Sequence, residues 1–248
     1  MKVDIIKAGG SELCGESLPT LAKYLHQTST RKDTKTLFVF GGGPQIDVHW
    51  RMKHLEPRPK RDGVGITSEE VLRDAVVPAY AAIRAALQEL LPLLKILEPQ
   101  DLLCERNTGL GFVGNVKEVK NIQSHKIIGI GFVGSDGTTE LNVNADSIVS
   151  TLAHIYSSSI GEVMLLTESG GVLDRFNQRI PQLSRTEIDR ILKDENPDIS
   201  ATGGMRKKLE EIRLMLEHVP SVLMLKTHEL LQKEAMKAGT LCMRNPCL

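Results

Sequence analysis

The sequence has no excess of either charge: among 248 residues, 31 Lys and Arg are matched by 31 Asp and Glu. With no basic field and no acidic tail, nucleic acid is not an expected partner. No apolar run approaches the ~20 residues needed to cross a bilayer, so a membrane span is not expected either. The opening "MKVDII" passes straight into a strand pattern without a signal peptide, and a cytoplasmic location is the corresponding expectation. Four cysteines (Cys14, Cys104, Cys242 and Cys247) form no CxxC pair, and the seven histidines form no HExxH. They read as reduced thiols and as surface or core imidazoles, and no protein-held metal is expected. Repeats and low-complexity segments are also missing. The length suffices for one large α/β domain or two lobes.

What the sequence does have is alternation. Strand-like "VDIIK", "TLFVF", "LLCE", "GFVGNVKEV", "KIIGIGFVG", "EVMLLT", "VLMLK" and "GTLCM" are interleaved with helix-like runs. A long helical stretch is expected from about Ser68 to Leu97, kinked near Pro78, and another from about Asn144 to Ser158 with Ile148, Leu152 and Ile155 facing inward. Such alternation defines an α/β fold, an open three-layer αβα sandwich with a mostly parallel central sheet. Ligands of such sheets gather beyond the carboxyl ends of the strands. The basic stretch "EPRPKRDG" (Glu56 to Gly63) reads as a loop of solvated charge. "GLGFVG" and "GIGFVG" fit GxGxxG, but a strand follows the first and a turn the second, so neither is a dinucleotide fingerprint.

The segment "VFGGGPQID" (Val39 to Asp47) places three glycines between a strand and a helix that opens with Pro44 and carries Ile46, Trp50 and the stem of Lys53 on one face. A helix N-terminus reached through glycines can hold an anion, or the run can be a tight turn with no ligand. "IIKAGG" puts Lys7 before Gly9 and Gly10 in the same kind of strand end. In "LNVNAD", Asn144 caps a helix whose first turn carries Asp146. In "TGGMRKKLEEIRLML", Met205, Leu209, Ile212 and Leu216 form the apolar face, Lys207 points away from it, and Lys208 lies nearest its edge. Singly, each charge has a structural explanation: a snorkelling lysine, an acid offsetting a helix dipole, a wet basic face.

Taken in order, "IIKAGG", "FGGGPQI", "LNVNAD", "LLTESGGVLD" and "GGMRKK" resemble the successive motifs of the amino acid kinase family, most closely its N-acetylglutamate kinases. The resemblance runs from Ile5 to about Met243. It implies ATP as phosphoryl donor, Mg²⁺ bridging its phosphates, and as acceptor a carboxylate of an N-acylated, N-acetylglutamate-like amino acid, which becomes an acyl phosphate. It implies Lys7 and Lys208 on the transferring phosphoryl group with Asp146 holding them. Gly9, Gly10, Thr167, Gly171, Asp174, Gly204 and Met205 would bind ATP. Gly42, Gly43, Gly65 and Asn142 would bind the acyl substrate. Residues 1–158 would form the acyl-substrate lobe and 159–248 the ATP lobe, with a homodimer as the assembly the analogy admits. Arginine biosynthesis is the implied setting. A carbamate or phosphate monoester as acceptor, or a sensor without turnover, are the alternatives.

The departures all lie on the acyl side. Phe40 stands where the family has histidine, Gly65 where it has an arginine that pairs with the substrate's other carboxylate, and Ser68 where it has an acid. The turn after the long helix lacks the family's glycine and aspartate, and the stretch between Val119 and Ile127 is too short for a helix. Weak use of N-acetylglutamate, and preference for an acid with a less charged far end, are expected unless Lys60 or Arg61 reaches in.

Overall fold

A computed structural model describes residues 1–61, 64–123, 125–196, 198–199, 201, 203–232 and 238–244. Cys247 therefore lies outside the described residues, and so do Asp62 and Gly63 of the basic stretch.

Chain order builds the architecture. Strand β1 (Lys2–Ala8) leads through a short 3₁₀ turn to α1 (Ser17–Ser29), and β2 (Thr34–Phe40) leads through the glycines to α2 (Gly43–Arg51). A two-strand hairpin follows, β3 (Lys60–Arg61) with β4 (Val64–Gly65). Then α3 (Glu69–Val71) runs through a π-turn, Leu72–Val76, into α4 (Val77–Leu90). Next come β5 (Lys95–Ile96), β6 (Leu102–Asn107), β7 (Val113–Val119), β8 (Ile127–Ile130), β9 (Val133–Ser135) and β10 (Glu140–Val143). The chain continues with α5 (Ala145–Ile155), β11 (Ile160–Leu166), β12 (Gln182–Ser184) and α6 (Arg185–Leu192). It closes with α7 (Gly203–Met215), β13 (Ser221–Leu225) and β14 (Thr240–Met243).

Eight strands form the central sheet in the order β12-β14-β13-β11-β1-β2-β8-β5, parallel throughout except for the β13–β14 pair. Side chains alternate across it. Ile5, Leu37, Val39 and Ile128 pack towards α5, α6 and α7, whereas Ile6, Phe38 and Phe40 pack towards α1, α2 and α4. These two cores make the three layers the alternation predicted. Strands β10-β7-β6-β9 close a small separate barrel beside the sheet.

Several expectations are corrected. "KIIGIGFVG" is two strands, one in each sheet, because the chain leaves the main sheet after Ile130 and pairs again from Val133. The long helix ends at Leu90 rather than Leu97, and the π-turn sits just ahead of Pro78. Helix α5 ends at Ile155, which is exposed; Val149 is buried on the inward face with Ile148 and Leu152. Lys53 lies beyond the end of α2, largely exposed, with its ammonium 3.0 Å from Asp74. Arg58, within the stretch read as solvated charge, is buried.

Candidate active site

The parallel register brings the glycine turns together. Ala8 at the end of β1 pairs with Phe40 on one side and Leu166 on the other. The Gly41 amide then donates to the Ala8 carbonyl at 3.0 Å, which fixes the two loops edge to edge. Between them lies a cavity of about 340 Å³ beyond the strand ends. Its walls include Lys7, Gly9, Gly10, Gly42, Gly43, Gly65, Asn142 and Asp146.

Asp146 enters the site from α5. Asn144 caps this helix, its side-chain carbonyl accepting from the amides of Asp146 at 2.8 Å and Ser147 at 3.4 Å. One turn into α7, Lys208 approaches from the other side. The Ser147 hydroxyl donates to Glu211 at 2.7 Å and locks the two helices in register. Lys7 Nζ stands 3.0 Å from Asp146 Oδ1, and Lys208 Nζ stands 3.2 Å and 3.1 Å from its two carboxylate oxygens. Lys7 and Asp146 are buried.

Burial drives the electrostatics of this triad. It pushes the Lys7 ammonium down to about 8, with the Lys208 charge adding to the fall and Asp146 opposing it. Burial alone would raise the Asp146 carboxyl, but the two ammonium groups override it and hold it well below the usual carboxylate range. One carboxylate thus carries two cations and leaves net positive charge at the cavity wall. Lys207 takes no part: it turns to Glu210 at 3.2 Å and Glu211 at 3.6 Å.

The glycines are explained differently at each position. A β-carbon on Gly42 would strike the ring of Phe132, so packing forbids it, whereas a β-carbon on Gly43 would meet open space. Phe40 joins Tyr80 and Phe132 in a buried aromatic cluster behind the turn. Asn142 is held by its side-chain amide, which donates to the buried Thr67 hydroxyl at 3.0 Å. Phe132 and Thr67 come from loops distant in sequence, and no local pattern marks them.

The remaining candidates do not line this cavity. Thr167 and Gly171 lie in the turn after β11, where the Thr167 hydroxyl accepts from the Gly170 amide at 3.0 Å. Asp174 caps its own loop, accepting from the amides of Phe176 and Gln178 at 2.8 Å each. Gly204 is exposed at the start of α7, and Met205 packs partly against the core one turn before Lys208.

Lys60 and Arg61 do not reach in either. Lys60 pairs with Asp47 at 3.2 Å and is half exposed; Arg61 donates to the Gly109 carbonyl at 3.2 Å on the surface. The guanidinium in the cavity wall is that of Arg58, in the stretch expected to be solvated charge.

A doubly wound sheet with a lysine–aspartate–lysine cluster beyond its strand ends matches a known family. Residues 2–224 fit the model of the amino acid kinase family, and the chain belongs to it. Among curated proteins it is similar to an acetylglutamate kinase of Methanopyrus kandleri, 27% identical over 239 residues, covering 87% of this chain and 91% of that one. An acetylglutamate kinase of Shewanella amazonensis is 29% identical over 209 residues, covering 77% and 78%. Among solved structures, carbamate kinase from Giardia lamblia bound to AMP-PNP shares the fold, with a TM-score of 0.71 at 12% identity over 98% of this chain and 99% of that one. Among the described residues, no helix is long and apolar enough to cross a membrane.

Proposed function

We propose that the protein is an ATP-dependent kinase that converts a carboxylate of an N-acylated amino acid to an acyl phosphate. The observation that carries this reading is Asp146 bridging two ammonium groups, those of Lys7 and Lys208, beside a glycine-lined cavity. A carboxylate is ionised at neutral pH, its unperturbed pKa being about 4, and needs no general base. One of its oxygens attacks the γ-phosphorus. A new oxygen–phosphorus bond forms, the bond from phosphorus to the bridging oxygen breaks, and its electron pair leaves on ADP. No proton moves.

The difficulty is anionic repulsion, so positioned cations do most of the work. Lys7 and Lys208 would meet the transferring group from two sides, and Asp146 would keep them apart and aimed. The amides of Gly9, Gly10, Gly42 and Gly43 would face phosphate and acyl substrate, and the Asn142 amide a substrate carboxylate. In the same reading, residues 159–248 form the nucleotide lobe. Thr167, Gly171 and Asp174, with Gly204 and Met205 at the head of α7, would border ATP. Among the described residues, Asp146 is the one acid lining the cavity, and both its oxygens are taken by lysines. Mg²⁺ would therefore be held by the phosphates it arrives with.

The test is ADP release across a panel of small acids, N-acetyl-L-glutamate first, with hydroxylamine trapping of any acyl phosphate. ADP release with a trapped hydroxamate supports the reading. ADP release with carbamate, trapped as hydroxyurea, or with a phosphate monoester and no trapped product, points to one of those acceptors instead. ATP binding with no ADP from any acid points to a sensor.

A further inference from the structure

We infer that Arg58 is the specificity-determining residue of the acceptor site, binding a second carboxylate of the substrate at a position that Gly65 keeps open for it. The inference rests on the cavity being the acceptor site. It identifies the substrate class as a dicarboxylate, against the expectation of a less charged far end.

Four observations converge. The Arg58 side chain is only 6% exposed, yet it lines the cavity. Its orientation is fixed, because Nε donates to Asp47 Oδ1 at 2.9 Å, and Asp47 rides on α2, the helix that the glycine triplet opens. Its guanidinium fills the space a side chain at position 65 would need: a β-carbon on Gly65 would lie 2.8 Å from Arg58 Cζ and closer still to Nη1. Among the described residues, no protein acceptor meets Nη1 or Nη2, although each carries N–H donors.

A buried guanidinium cannot shed its charge, and its free edge is a planar pair of donors that matches a carboxylate in a bidentate way. Among the described residues, Lys7 and Arg58 are the only cations that line the cavity, and the only acid there, Asp146, is already bound by lysines. The cavity thus has two separate positive poles. One, Lys7, faces the reacting carboxylate, with Lys208 bound to the same Asp146. The other, Arg58, is left for an anion at the substrate's far end. Asp47, outside the cavity lining, orients Arg58 and leaves its outer edge unpaired.

The test is isothermal titration without nucleotide, so its result is independent of turnover. The probes are two matched pairs: N-acetyl-L-glutamate against 4-acetamidobutyrate, and glutarate against butyrate. Wild type should bind the dicarboxylate of each pair about tenfold or more tightly, as a charged hydrogen-bonded pair supplies. Arg58→Gln should abolish that preference while leaving the monocarboxylate Kd unchanged, and Arg58→Lys should keep part of it. Should Arg58→Gln fail to fold, Gly65→Ala supplies the same test by pushing the guanidinium aside, and it should lose the preference too. Equal affinities within each pair in wild type, binding of none of the four probes, or a preference that survives both Arg58→Gln and Gly65→Ala overturns the inference. Failure of ADP release with any acid would refute the kinase reading instead and would leave the binding preference standing.

Discussion

Asp146 and Lys208, 62 residues apart in the chain, meet through both carboxylate oxygens at 3.2 Å and 3.1 Å, while Lys207 turns away to Glu210. Helical geometry places adjacent residues about 100° apart, so only one of two neighbouring lysines can face the site. Lys208→Ala should therefore lower kcat by two to three orders of magnitude, since one lost transition-state donor costs about 2.7–4 kcal/mol. Lys207→Ala should leave kcat within about threefold, because its partly exposed ion pair with Glu210 lies outside the site. Steady-state kinetics on both variants checks the assignment; equal losses would overturn it.

The pH profile should report Lys7. Its ammonium is depressed to about 8 by burial, so the cation proposed to meet the phosphoryl group would be lost as pH rises through that value. Activity should fall above about pH 8. Asp146 pulls the Lys7 value upward, so Asp146→Asn should move the falling limb to lower pH as well as slow turnover. A limb that stays in place would remove Lys7 from the ionisation that limits the rate.

The same shift has a stability consequence of opposite sign. The folded Lys7 titrates near 8 and the unfolded one near 10.5, so between these values the unfolded chain binds more protons and folding stability rises with pH. Lys7→Met should flatten that rise. Urea unfolding at pH 7.5 and 10 in both proteins measures it, and equal slopes would show that Lys7 carries no such linkage.

Gly65→Arg should not create an improved carboxylate site. The space beside residue 65 already holds the Arg58 guanidinium, and a second arginine would displace the first and repel it. A loss of at least tenfold in affinity for N-acetyl-L-glutamate is expected by calorimetry, because breaking one charge-assisted bidentate pair removes about 1.5–3 kcal/mol per hydrogen bond. A gain would mean that Arg58 is not the residue holding that end.

Beside Gly171, the fully buried Thr240 hydroxyl donates to the Ile180 carbonyl at 2.6 Å and accepts from the Val172 amide at 3.0 Å. Gly171 leaves room for it, since a β-carbon there would collide with Thr240 Oγ1. Thr240→Val should cost about 1–3 kcal/mol by stranding a buried amide and carbonyl. Denaturant unfolding checks this, and an unchanged midpoint would show that the loop finds other partners.

Several features were legible in the sequence because they are written in neighbouring residues. Strand–helix alternation gave the three layers; the Asn144 cap gave the start of α5; the helical period of Met205, Leu209, Ile212 and Leu216 singled out Lys208 over Lys207. The family motifs pointed to Lys7 and Asp146 in the same way. What local pattern could not decide was where distant loops come to rest. Ile155 continues the period of α5 yet is exposed, because the helix has run past the core it covers by that point. "KIIGIGFVG" looks like one strand, and only the pairing partners divide it between two sheets. The basic stretch reads as solvated charge, but Asp47 on α2 draws Arg58 inward and a missing side chain at position 65 gives it room. A residue's role there depends on the space left by another, and that space exists only once the chain has folded.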